Sequence, residues 1–168
     1  MSRTGKTKQL VTDAFLAGIL FALQVALMHL PNMELVSLLT MLYTVIFGKR
    51  VVIILTVFIM LEGVVHGFGV WWISYLYIWY LLAGGAWILR KMQAPDWGYA
   101  ILSGIFGLSF GFFCSIPYLS GGIGAALSWW ISGIPFDIIH GISNLVIAFL
   151  LFRPLGRVLR ECKIWESR

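Results

Sequence analysis

This 168-residue chain is poor in charge: Asp, Glu, Lys and Arg make up 11% of it, against 60% hydrophobic residues. Soluble domains carry about 25% charge and about half apolar residues. That scarcity, with a mean hydropathy of +0.92, excludes a water-faced globule and a disordered tail. Two cysteines, Cys114 and Cys162, exclude a disulfide-stapled module, and they form no CxxC or metal-type spacing. There is no glycine-rich phosphate loop ending in Lys-Ser/Thr, so no ATPase site, and no HExxH metal motif. Nothing marks a repeat or a second domain, so the chain reads as a single membrane domain over 1–168. The first apolar stretch is too long for a signal-peptide core and is read as retained.

What is present is a patterned set of charges. The twelve basic residues fall in four clusters: Arg3, Lys6 and Lys8; Lys49 and Arg50; Arg90 and Lys91; and Arg153, Arg157, Arg160, Lys163 and Arg168. Between clusters, 9–48, 51–89 and 92–152 hold no Lys or Arg over 40, 39 and 61 residues. A spanning helix needs roughly 20 residues, so each stretch accommodates an out-and-back pair. The positive-inside rule sets all four clusters on the cytoplasmic face. The expectation is an all-α integral membrane bundle of six transmembrane helices, both termini cytoplasmic, with a ligand pocket at the extracellular end. The net charge of +5 is then topology, and no nucleic-acid partner is expected.

Turn residues place the helices at about 11–30, 33–47, 51–68, 72–89, 98–118 and 135–152. Pro31-Asn32 closes the first. The segment 119–133, with its glycines and Trp129-Trp130, reads as an outer loop with an interfacial re-entry. The basic tail 155–168 reads as an amphipathic segment along the inner surface.

The ionisable groups outside the basic clusters gather toward the opposite end. Glu34, Glu62 and Asp137 do so, with His29, His66 and His140, whereas Asp13, Asp96, Glu161 and Glu166 sit at cytoplasmic ends. Ionisable groups at bilayer depth are costly and face a cavity or a partner. Glu62 and His66 are four apart and share a helix face. Asp137, His140 and Asn144 make a stripe at the start of helix six. Trp71, Tyr75 and Trp79 recur every four residues within a segment of six aromatic rings in ten residues. Such rings beside carboxylates and imidazoles suit a flat, partly polar ligand. An aromatic interfacial belt accounts for some of these rings but not for six on one helix.

Ala14, Gly18, Ala22 and Ala26 form a smooth strip along helix one, the kind of surface that lets another helix approach closely in lipid. Gly104, Gly107 and Gly111 repeat the theme on helix five, there read as an internal contact.

Together these features resemble the substrate-binding (S) components of energy-coupling factor (ECF) transporters, whose first helix carries an Ala-xxx-Ala motif matched by Ala22 and Ala26. The stretch from Ile134 through Asp137, His140 and Asn144, then Arg153-Pro154-Leu155, resembles the last helix of several members. The resemblance implies a vitamin or related micronutrient captured outside, a transmembrane coupling subunit, two cytoplasmic ATPase subunits and a bacterial or archaeal cytoplasmic membrane. It implies no enzyme activity and no cofactor. It also implies a pocket closed by the loops after helices one, three and five. The first loop is short here, so gating is expected to fall on 67–72 and 119–133. With three acids and no basic group at the site, a neutral or cationic ring compound is favoured over an anion, and a corrinoid is the first guess from the resemblance. Glu34, Glu62, His66, Trp71, Tyr75, Trp79, Asp137, His140 and Asn144 are the candidate binding residues. The alternatives are an intramembrane metal-dependent hydrolase or a metal-ion permease using Glu62, His66, Asp137 and His140, and a plain assembly subunit.

Overall fold

The computed structural model describes residues 3–30 and 32–167. Pro31 and Arg168 lie outside the described residues, and so do the side chains of Arg3, Cys162 and Glu166. Among the described residues there are six α-helices and two 3-10 turns, and no strand. They are α1 (Arg3–Leu27), α2 (Val36–Phe47), α3 (Val51–His66), α4 (Val70–Lys91), α5 (Asp96–Ser115) and α6 (Ile123–Ser167). The 3-10 turns are Gly48–Arg50 and Ile116–Gly121.

Five helical segments are long and apolar enough to cross a membrane: Gly5–Leu27, Val36–His66, Val70–Lys91, Asp96–Gly121 and Ile123–Glu161. Their outward surfaces carry large apolar side chains, among them Phe15, Val64, Ile142 and Phe149. A soluble monomer rarely exposes so much apolar surface, whereas lipid solvates it. The chain is therefore compatible with a multi-pass membrane protein.

Helix two departs from a spanning helix. α2 has 12 residues, about 18 Å at 1.5 Å per residue, against a hydrocarbon core of about 30 Å. All of its residues except Val45 are buried, including Ser37, Thr40, Tyr43 and Thr44. It packs against α4, α6, α3 and α1. α2 is thus the core of the bundle, and the longer helices form its sheath. The chain reverses at Gly48, whose φ of +65° suits glycine and which lies under Arg90 and Trp87.

The ends of α2 are electrically matched. At its start, Glu34 Oε2 accepts the Ser37 N–H at 2.7 Å. At its end, Arg90 donates to the Thr44 carbonyl at 3.3 Å and Lys163 donates to the Ile46 carbonyl. An acid at the N-terminus and cations at the C-terminus complement the helix dipole and satisfy its orphan groups. Nearby, Arg50 clamps Asp13 through Nη2 at 2.7 Å and Nε at 3.0 Å, joining α3 to α1. Arg50, Arg90 and Lys163 come from three basic clusters and meet at one end of α2, as the sequence pattern requires.

The readings of 119–133 as an outer loop and 155–168 as a separate tail need correction. Residues 116–121 form a 3-10 turn and Ile123 begins a 45-residue helix that runs through Pro135 and Pro154 to Ser167. Glycine and proline are weak helix breakers in an apolar setting, because an interrupted backbone finds no water to bond. The 3-10 turn folds back on the new helix, where Tyr118 stacks on Trp129 with ring centroids 4.2 Å apart. The glycines of α5 make the expected internal contact. A Cβ at Gly107 would lie 2.8 Å from the Gly141 backbone, and one at Gly111 would collide with the Asp137 carboxylate.

Candidate functional site

The site lies at the end of the bundle away from the basic clusters, where α1 ends and α2 begins. Its first part is a cavity of about 280 Å³ lined by Gln24, Met28, Asn32, Glu34, Tyr75, Trp79, Phe110 and His140, among others. His140 Nε2 lies 3.4 Å from Glu34 Oε1, and the ring packs edge-on against Phe110. Burial alone would raise the Glu34 carboxyl. The His140 ring and the Ser37 hydrogen bonds outweigh it and hold the group below its ordinary range.

Aromatic stacking builds the wall. Trp71, Tyr75 and Trp79 form one continuous face of α4, each ring edge-on to the next at 5.2 and 5.4 Å. Trp79 is almost fully buried, yet its Nε1–H has no acceptor. Gln24 Nε2 donates to the Tyr75 hydroxyl at 3.3 Å, while Gln24 Oε1 is buried and unpaired. A buried polar atom without a partner is costly, and here two of them belong to residues that line the same cavity.

A second cavity, about 230 Å³, is lined by Gln24, Val25, Met28, Glu62, His66 and Trp71. His66 Nδ1 lies 3.1 Å from Glu62 Oε2, and Glu62 Oε1 is buried without a partner. A third, about 330 Å³, holds Asp137 with Gly111, Cys114, Trp129, Ser132 and Phe136. There Asp137 Oδ1 accepts the Gly111 N–H at 2.9 Å. Asn144 reaches none of these cavities. It is buried, and its Nδ2 donates to the Ser37 hydroxyl of α2 at 3.2 Å.

The expected single polar stripe is therefore divided. His140 serves the first cavity with Glu34, Asp137 serves the third, and Asn144 ties α6 to α2. The four side chains of the metal alternative, Glu62, His66, Asp137 and His140, occupy three different cavities. Among the described residues no three His, Cys, Asp or Glu side chains gather as a metal site would require.

The covering element also differs from expectation. Residues 119–133 are a turn and a helix, so they are not a loop free to gate. The short loop after α1 supplies Met28, Leu30, Asn32, Met33 and Glu34 to the first cavity. Asn32 has a left-handed backbone, and its carbonyl accepts the Ser143 hydroxyl of α6 at 2.6 Å. His29, in the same loop, is exposed.

Gln24, Met28, Asn32 and Phe110 are the lining residues that an inventory of ionisable groups misses. Gln24 alone carried a readable signal, as the only amide between residues 10 and 30.

The small strip of α1 faces outward. Ala14, Ala22 and Ala26 are exposed, and nothing lies within 4 Å of where a Gly18 Cβ would stand.

No family model, no curated protein and no solved structure matches the chain.

Proposed function

We propose that this chain is the membrane-embedded substrate-binding subunit of an ECF-type importer, capturing a small ring compound outside and releasing it inside. In this reading the basic end is cytoplasmic and the cavities open outward in a bacterial or archaeal membrane. A transmembrane coupling subunit and two ATPase subunits supply the energy. The observation that carries it is the cavity between α1, α2, α4 and α6, where Glu34–His140, Gln24 and a buried indole N–H converge.

The outward face of Ala14, Gly18, Ala22 and Ala26 supports a docking role, since a partner helix can lie flat on it. A cavity of about 280 Å³ favours a small ring compound over a corrinoid, which is several times larger. The absence of Lys and Arg from its lining favours a neutral or cationic ligand.

The test is uptake in cells carrying a coupling module, alongside ligand binding by the purified chain. Ala22→Trp with Ala26→Trp is expected to abolish uptake and leave binding intact. Undiminished uptake by that variant overturns the docking role.

A further inference from the structure

We infer that the first and second cavities are two halves of one binding site for a bipartite ligand: a flat ring carrying a hydrogen-bond acceptor, with a cationic or donor group at each end. The inference rests on the ligand-binding reading above and specifies its ligand.

Both cavities are lined by Gln24 and Met28. The polar contact between their walls is the Gln24–Tyr75 hydrogen bond, which at 3.3 Å is long. Each half ends in a carboxylate beside an imidazole, Glu34 with His140 and Glu62 with His66. Neither lining contains Lys or Arg, so the nearest partner of the carboxylate at each end is a histidine ring. Glu62 is 3% exposed and Trp79 1%; each lines its half of the site and carries a buried polar atom without a partner, an acceptor in the second half and a donor in the first. Gln24 Oε1 adds an unpaired acceptor at the junction. The complement of that set is a donor at each end and an acceptor over Trp79, with Tyr75 and Trp71 giving the ring its apolar walls.

The probe is 2,6-bis(aminomethyl)pyridine, measured on the full chain in nanodiscs with chelator present. Its controls are 2-(aminomethyl)pyridine, which has one ammonium, and 1,3-bis(aminomethyl)benzene, which lacks the ring acceptor. The diamine is expected to bind at least about tenfold tighter than the monoamine, as a second charge-assisted hydrogen bond implies. Glu62→Gln and Glu34→Gln should each erase that preference, and Trp79→Phe should erase the preference for the pyridine over the benzene.

Equal affinity for diamine and monoamine overturns the inference, as does a preference that survives Glu62→Gln or a failure of every probe to bind. These results separate from those for the importer reading. Diamine selectivity requiring both carboxylates, in a chain that supports no uptake, sustains the two-part site and overturns the importer. Uptake sensitive to Ala22→Trp with indifference to Glu62→Gln does the reverse.

Discussion

The two ends of the bundle are both polar, and they treat polarity in opposite ways. At the basic end, Arg50 clamps Asp13, while Arg90 and Lys163 cap the carbonyls of α2. At the other end Glu62, Asp137, Gln24 and Trp79 each keep a buried atom without a partner. Paired charge in a low-dielectric interior fixes helices in register, because losing either partner strands the other. Buried polar atoms without a partner hold nothing together and gain from any group that reaches them. The contrast separates the end that holds the fold from the end where the ligand is proposed to bind.

The comparison breaks most sharply at Arg50. Replacing it with Ala strands the buried Asp13 carboxylate and should cost about 3–5 kcal/mol, read as a large fall in thermal midpoint in detergent. The double variant Arg50→Met, Asp13→Leu should recover part of that loss. An unchanged midpoint in the single variant would remove the distinction between the two ends.

A smaller loss is expected at the helix contact linking them. Gly107→Val drives a side chain into the Gly141 backbone and should destabilise by about 1–3 kcal/mol. Gly18→Ala, facing open space, should leave the midpoint where it is.

At the opposite end, Glu62→Gln should change stability by less than about 1 kcal/mol, because the Gln carbonyl can keep the His66 contact and the other oxygen has no partner to lose. A destabilisation matching that of Arg50→Ala would make Glu62 a structural anchor instead.

The smallest effect concerns pH. Glu34 is held below its ordinary value of 4.5, so it stabilises the folded state above that value, and the contribution fades as pH falls through the lowered one. The midpoint difference between the native chain and Glu34→Gln should be constant above about pH 5 and shrink below about pH 4. A difference that grows on acidification contradicts this assignment.

Much of the architecture could be read in advance. Clusters such as Lys49-Arg50 and Arg90-Lys91 mark helix ends because a charge is too costly to leave in hydrocarbon. The four-residue spacing of Trp71, Tyr75 and Trp79 named a face that the structure keeps. Legibility failed at Gly124 and Gly133, where turn chemistry learned in water suggested a loop and lipid-like surroundings sustain a helix. It failed again for α2, whose apolar run matches a lipid-facing helix although its neighbours, not lipid, surround it.

The candidate site was half visible. Glu34, Glu62, His66, Trp71, Tyr75, Trp79 and His140 do line the two adjoining cavities, whereas Asp137 and Asn144 turn elsewhere. Spacing reports which residues share a helix face, and Asp137, His140 and Asn144 do share one. Which cavity each reaches depends on the neighbouring helix: the missing Cβ of Gly111 admits Asp137, and the Ser37 hydroxyl takes Asn144.

By itself the sequence determined that the chain forms apolar helices compatible with a membrane and segregates its basic from its acidic groups, because both follow from the free energy of a residue in lipid or water. Only the tertiary structure decided that α2 is the core, that α6 runs unbroken and that seven candidate residues line the two cavities sharing Gln24. Those outcomes depend on which side chains pack across helices, and no property of a single helix contains that information.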